Sequence, residues 1–173
     1  MDDLPNIIAV DANVLICVCE KDGDRKEKIS HLFSLIDKAK GRVVIPTPAM
    51  AEFLTNADQA ALAVLENFQK RASVYVASFD LASAYELSLI DAAAIGRGDK
   101  RDGRADAWQK IKIDRQIVAI AKTYGAKLII SDDEGVRTVA ARVGIKAKQV
   151  DDLPIPDHAR QTKLQMDEPE QPE

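Results

Sequence analysis

The chain has 173 residues, 46% of them hydrophobic and 30% charged, which suits one globular domain that buries its own core without disulfides or metals. No run of 18 apolar residues occurs, because Asp11 and Asn13 interrupt the N-terminal candidate, so a membrane span is not expected. The first three residues, Met-Asp-Asp, lack the basic start of a signal peptide, and secretion is therefore not expected either.

The two cysteines agree with a cytoplasmic protein. Cys17 and Cys19 are spaced C-x-C inside an apolar stretch, which suits neither a disulfide framework nor a zinc site with four ligands. We expect buried thiols in a reducing cytoplasm.

Net charge is −4 at pH 7, but the acids are unevenly distributed. Residues 151–173 hold seven acids against Arg160 and Lys163, which leaves residues 1–150 with a charge of +1. This acidic tail ends in a stretch with two prolines and few apolar residues, so we expect it to be disordered. It is either an acidic arm for a basic partner or a solubilising extension of the folded domain at 1–150.

Short apolar runs bounded by turn residues alternate with longer segments of helical period. The runs predict five strands, at residues 6–10, 42–45, 73–78, 127–131 and 147–150. Their apolar residues are continuous, which is typical of strands buried on both faces. We therefore expect a three-layer α/β fold, with a mainly parallel five-stranded sheet and helices on both faces.

The helical segments are placed by their apolar stripes and their capping residues. We predict helices at residues 25–39, 47–71 with a break near 56–58, 80–95, 112–124 and 134–143. Between the third and fourth helices lies a polar loop, residues 96–109. Residues 97–115 hold seven bases against four acids, so this segment is either a surface for a phosphate backbone or a solvated loop with scattered charges.

Two acids stand just after predicted strands. In an open parallel sheet, ligands bind beyond the carboxyl ends of the strands, where Asp11 and Asp133 stand. Helix capping is the structural alternative for both. Asp11 is placed to cap a following helix, Ser131 and Glu134 have the spacing of a capping box, and Asp132 is as well placed as Asp133 to cap the last helix.

Two further acids interrupt apolar helix segments. Glu52 lies past the first turn of a helix capped at Thr47, where neither capping nor the helix dipole explains a carboxylate. Asp114 lies between Ile113 and Ile117 near the start of another predicted helix, where the dipole is an alternative explanation.

Four acids gathered at one rim of a sheet would repel one another unless a cation held them. Oxygen ligands without histidine or cysteine favour Mg²⁺ or Mn²⁺. Such a metal activates water for attack on a phosphodiester. We assign no catalytic role to His31 or His158.

Four segments together resemble the PIN domain family, the metal-dependent ribonuclease fold of many prokaryotic toxin–antitoxin pairs, including VapC-like toxins. Residues 8–16 are similar to the family's opening strand with its aspartate, and residues 46–53 to its second motif. Residues 113–121 match the third, and residues 128–133 match the last, where the family usually has Thr, any residue, Asp. The similarity covers about residues 7–150, which we expect to be the catalytic domain.

The resemblance implies a ribonuclease that hydrolyses RNA with a metal-activated water. It implies Mg²⁺ (or Mn²⁺) bound by Asp11, Glu52, Asp114 and Asp133. Asp132 is a close rival of Asp133 for the last position. The remaining implied residues are Asn13 and Ser131, which orient ligands or water, and Arg104, Lys112 and Arg115, which bind phosphate. The expected partners are RNA, an antitoxin protein and a second copy of the chain in a homodimer.

Two other functions compete with this prediction. A haloacid-dehalogenase-like phosphatase also has an acid after its first strand, but it requires a second aspartate where this chain has Asn13. A PIN fold that binds RNA or protein without cutting is the other alternative, and the presence of all four acids argues against it.

Overall fold

The computed structural model describes residues 4–20 and 23–156 of the chain. Within them lie five strands, all parallel to their neighbours, in the spatial order β3-β2-β1-β4-β5. The strands are β1 Ile7–Val10, β2 Arg42–Pro46, β3 Val74–Ala77, β4 Leu128–Ile130 and β5 Lys146–Lys148. The predicted three-layer α/β fold with a parallel five-stranded sheet is confirmed.

Seven helices cover the sheet within the described residues. They are α1 Ala12–Cys19, α2 Asp24–Lys38, α3 Thr47–Asn56, α4 Gln59–Gln69, α5 Leu81–Gly96, α6 Trp108–Thr123 and α7 Glu134–Arg142. The predicted break at 56–58 separates α3 from α4, where the carboxylate of Asp58 caps α4 by accepting the N–H of Ala61 at 2.8 Å.

The core consists of two apolar clusters, one on each face of the sheet. Successive strand residues point to opposite faces, so Ile8 and Val10 pack with α1, α2 and α4, while Ala9 packs with α6 and α7. All three of these strand residues are fully buried. This two-sided burial explains why the central strands β1 and β4 are continuously apolar, whereas the edge strand β5, Lys-Ala-Lys, is largely exposed and does not fit that expectation.

Two helices differ from the sequence prediction by more than two residues. The sequence indicates helix α1 only as the helix that Asp11 would cap and gives it no range, because its apolar residues continue the run of β1 without a turn signal. Helix α6 starts at Trp108 rather than at residue 112, so Lys110 lies on the helix, one turn before Asp114.

The folded domain extends past residue 150. Val150 and Leu153 are buried in the core cluster that contains α2, so residues 151–156 pack onto the domain rather than leaving it. The rest of the predicted disordered tail, residues 157–173, lies outside the described residues.

Both cysteines are free thiols, as predicted. Cys17 is buried and Cys19 is half-buried, and burial raises the pKa of both. None of the helices in the described part of the chain is both long and apolar enough to cross a membrane.

Candidate active site

An open cleft of about 750 Å³ lies beyond the carboxyl ends of β1, β2 and β4. The chain runs outward from β1 to β2 and β3, and then returns to place β4 on the other side of β1. Ligand sites in open α/β sheets occur at such a reversal of strand order. The residues that line the cleft are Asp11, Asn13, Thr47, Pro48, Ala51, Glu52, Thr55, Lys110, Ile113, Asp114, Gln116, Ile117 and Asp133.

All four predicted acids therefore line one cleft, although they come from four separate segments. Asp11 follows β1, Glu52 lies on α3, Asp114 lies on α6, and Asp133 joins β4 to α7. Glu52 is exposed, whereas Asp11 and Asp114 are each 3% exposed. The cleft thus combines two buried carboxylates with more accessible ones at its edge.

Asp11 both caps α1 and faces the cleft. One carboxylate oxygen accepts the N–H of Ala12 at 2.7 Å, and the other accepts the hydroxyl of Ser131 at 2.7 Å. Burial raises its pKa to about 6, and the negative charges of Glu52 and Asp133 add to the increase, while the two hydrogen bonds oppose it. The helix-capping role of Asp11 and its position in the cleft wall are therefore compatible.

Ser131 connects the two strand ends. Its hydroxyl donates to Asp11 and accepts the N–H of Asp133 at 3.0 Å. Because one hydroxyl bridges both segments, it fixes the positions of the two acids relative to each other.

Asp133, and not Asp132, points into the cleft. The carboxylate of Asp133 caps α7 by accepting the N–H of Gly135 at 2.7 Å, and its other oxygen pairs with Lys110. Burial alone would raise the pKa of Asp133, but Lys110 and the helix N–H groups outweigh it, and the pKa is lowered. The predicted capping box is replaced by this cap, since the hydroxyl of Ser131 bonds to the N–H of Asp133.

The side chain of Asp132 is engaged elsewhere. It forms an ion pair with Arg25 of α2 and accepts the N–H of Val150 at 3.0 Å. These contacts join α2 and the segment after β5 to the end of β4. Asp132 is absent from the cleft wall, so its observed contacts are structural.

Asp114 is held by two basic side chains. Arg104 donates to one carboxylate oxygen at 2.6 Å, and Lys110, one turn earlier on α6, lies 3.6 Å from the other. Burial raises the pKa of Asp114, and the hydrogen bond from Arg104 offsets this increase only in part. Lys110 also contacts Asp133, so it bridges two of the four acids.

Arg115 does not lie at the cleft. It is 1% exposed and donates to Asp91 and Asp102, each at 2.8 Å, and to the carbonyl oxygen of Lys100 at 2.6 Å. Its guanidinium also lies over the ring of Trp108. This buried network anchors the α5–α6 loop, residues 97–107, and contradicts the prediction that Arg115 contacts phosphate. Lys112 does not line the cleft either.

Lys110 and Gly135 were missed in the sequence. Lys110 had been counted only as one charge of a basic segment, although its spacing of four residues before Asp114 on a helix was a usable signal. Gly135 faces the Arg104–Asp114 pair, and a Cβ there would overlap both side chains. Its role depends on contacts between distant segments and left no signal in the sequence.

A family model for the PIN domain matches residues 8–142 of the chain. The chain belongs to the PIN domain family. This membership covers all four acids of the cleft and removes the phosphatase alternative. Curated proteins give no significant match.

Solved structures share the fold of this PIN domain at low sequence identity. One is a chain of VapBC2 from Rickettsia felis, a structure bound to a DNA fragment from the VapBC2 promoter. It is 13% identical to this chain, with a TM-score of 0.59. The match covers 83% of this PIN domain protein and 98% of the other chain. A chain of DNA-bound VapBC from Salmonella typhimurium is 19% identical, with a TM-score of 0.57 and coverage of 83% and 97%.

The donor chemistry of the PIN domain cleft fits a hard divalent cation. Four carboxylates face two basic side chains, Arg104 and Lys110, which leaves an excess of two negative charges when all the acids are ionised. As they stand, no three acidic, histidine or cysteine side chains in the described segments form a group able to hold a metal ion. Asp114 and Asp133 are turned toward the two basic side chains instead.

Asp11→Asn is expected to change how the stability of this PIN domain depends on pH. The pKa of Asp11 is about 6 in the folded protein against 3.8 when unperturbed, so the folded state holds the proton more tightly. The protonated carboxyl of Asp11 therefore favours the folded state. This contribution to stability is fully present below the unfolded pKa of 3.8 and is lost as the pH rises through about 6. The cost at pH 8 is roughly 3 kcal/mol, at 1.36 kcal/mol per pKa unit.

Urea unfolding in EDTA at pH 4, 5, 6 and 8 measures this effect. The free energy of unfolding of Asp11→Asn minus that of the wild type should rise by roughly 2–3 kcal/mol across the range. Glu66→Gln, at an exposed position of α4, is the control and should give a flat difference. A flat difference for Asp11→Asn as well would show that its carboxyl is not perturbed.

Proposed function

We propose that this PIN domain is a metal-dependent ribonuclease that hydrolyses phosphodiester bonds. The observation that carries the proposal is the convergence of Asp11, Glu52, Asp114 and Asp133 on one open cleft. Four acids with no shared structural task, two of them buried, cost stability through desolvation and mutual repulsion. A catalytic role best explains why the chain keeps four carboxylates at the strand ends despite this cost in stability.

The four acids would hold Mg²⁺ or Mn²⁺. When bound at such a site, a divalent cation lowers the pKa of a water molecule and offsets the charge that develops on the phosphate oxygens. The protein keeps the acids in place before binding, because Asp11 and Asp133 are fixed by helix caps and by the shared hydroxyl of Ser131. Asn13 lies in the cleft wall, where its amide is placed to orient a ligand or a water.

RNA is the proposed substrate. The cleft is open, as a polymer requires, and Lys110 at its wall is 43% exposed in its side chain. Lys110 therefore replaces Arg115 and Lys112 in the set of proposed phosphate contacts, beside Arg104. The cations provide a sequence-independent attraction for the backbone phosphates.

We further propose that the protein acts as the toxin of a toxin–antitoxin pair and forms a homodimer. The likeness of its fold to chains of two VapBC complexes supports the toxin–antitoxin part of this proposal. The part of the acidic tail at residues 157–173 is then a candidate for contact with a basic partner.

The experiment that tests the proposal is cleavage of a labelled single-stranded RNA pool by the full chain. Cleavage is expected with Mg²⁺ or Mn²⁺, and EDTA should abolish it because chelation removes the cation that would lower the pKa of water and offset the charge on the phosphate. Asp114→Asn is the matched inactive control, since it keeps the shape of the side chain. RNA binding without cleavage in any of these metals would favour the non-catalytic binding module instead.

A further inference from the structure

One of the two basic side chains that contact the proposed metal ligands is tightly enclosed. Arg104, in the α5–α6 loop, is 11% exposed in its side chain and pairs with Asp114 at 2.6 Å and with Asp106 at 2.7 Å. Its Nη1 is buried and has no hydrogen-bond partner among the described residues. A buried N–H without a partner is costly, so this conformation depends on the charges of Asp114 and Asp106.

Space for this pair exists only because residue 135 is a glycine. A Cβ at Gly135 would overlap the guanidinium of Arg104 and the carboxylate of Asp114. The first turn of α7 thus forms a recess, and the guanidinium of Arg104 lies in it, against one oxygen of Asp114.

The loop that carries Arg104 is fixed at a second place. Asp102 has a positive φ of 57° and is 4% exposed in its side chain, and it pairs with Arg97, Arg115 and Arg142. Because Asp102 is two residues before Arg104, the buried network holds the base of the arginine side chain beside α6. The guanidinium can move away only by rotation of its own side chain.

We propose that Arg104 and the divalent cation are alternative partners of Asp114, so that Arg104 acts as a built-in competitor for the metal. The inference rests on the proposed function, because it takes Asp114 as a metal ligand. The guanidinium of Arg104 occupies the position next to one oxygen of Asp114 that a metal ion would take, and two cations at that separation repel. Metal binding at Asp114 therefore displaces the guanidinium of Arg104 from the recess over Gly135.

Competition weakens the apparent affinity for the metal by the fraction of molecules in which Arg104 is displaced. Removing the arginine should then tighten binding. Metal binding in the wild type must break the charge-assisted bond between Arg104 and Asp114. Deleting Arg104 removes this cost, so the affinity for the metal should rise roughly tenfold.

Mg²⁺ binding measured by calorimetry without RNA tests the competition. Arg104→Ala should bind Mg²⁺ roughly tenfold more tightly than the wild type. Arg101→Ala is the matched control, because it removes the same charge from the same loop. Arg101 is exposed, and its side chain donates to the carbonyl oxygen of Asp106 rather than to a proposed metal ligand. Its affinity should stay within about twofold of the wild type.

A second measurement uses the wild type and does not depend on how well a variant folds. In ¹⁵N–¹H spectra, the Nε–H signal of Arg104, assigned by its absence in Arg104→Lys, should shift and lose protection from exchange as Mg²⁺ is added. An unchanged signal at saturating Mg²⁺ would overturn the inference. So would an equal tightening in Arg104→Ala and Arg101→Ala, which would show a general effect of charge.

The outcomes separate this inference from the proposed function. Mg²⁺ binding and metal-dependent cleavage by the wild type, with no gain in Arg104→Ala, would overturn the competition and leave the ribonuclease proposal standing. Failure of the wild type and both variants to bind Mg²⁺ or Mn²⁺ would overturn both.

Discussion

Asp133→Asn is expected to lower the rate of RNA cleavage by about a hundredfold or more, whereas Asp132→Asn should keep it within a few fold of the wild type. Loss of a charged metal ligand removes several kcal/mol of transition-state stabilisation, at 1.36 kcal/mol per tenfold in rate. Asp133 lines the cleft, while Asp132 is engaged by Arg25 and the N–H of Val150. The two variants make the same chemical change at neighbouring positions.

Folding should be nearly equal in the two variants. Asparagine is as good an N-cap as aspartate, so Asp133→Asn keeps the cap of α7 and loses its ion pair with Lys110. Circular dichroism and urea unfolding provide the control. A larger loss of cleavage in Asp132→Asn would reverse the assignment of the fourth acid.

Arg115→Ala is expected to lower the free energy of unfolding by roughly 3 kcal/mol. The arginine is fully buried, and its removal deletes its packing under Trp108 and leaves the carbonyl oxygen of Lys100 without its charged donor. Asp102 keeps Arg97 and Arg142 as partners, which limits the loss. Arg115→Lys should recover only a minor part, because a single ammonium cannot reach three acceptors in fork geometry.

Urea unfolding at pH 7 measures this loss, with Arg101→Ala as the control for removal of an exposed charge. The control should change stability by less than about 0.5 kcal/mol. Limited proteolysis of the α5–α6 loop gives a local readout, since cleavage within residues 97–107 should be faster in Arg115→Ala. A loss below about 1 kcal/mol would mean that Arg115 is not the anchor of the loop.

The layer architecture was predictable because strands buried on both faces have continuous apolar runs in the sequence. A parallel strand between two helix layers needs apolar residues at every position, as in residues 7–10, 43–45 and 128–130. The four acids were predictable for the same reason, since Asp11 and Asp133 end such runs and Glu52 and Asp114 interrupt apolar helix faces. The range of helix α1 was not predictable because its burial continues that of β1.

The partner of each charged side chain was decided only by the tertiary structure. By sequence alone, Asp132 was a close rival of Asp133, and Arg104 and Arg115 were expected phosphate contacts while Lys110 was only one charge of the same basic segment. Folding brought Arg25 to Asp132, Lys110 to Asp133, Arg104 to Asp114, and the acids of two other segments to Arg115. Ion pairs and hydrogen bonds depend on distances of a few ångströms between residues far apart in the chain, whereas burial is recorded residue by residue. The sequence therefore determined which acids reach the end of the sheet, and only the packed chain determined which of them remain available for a ligand.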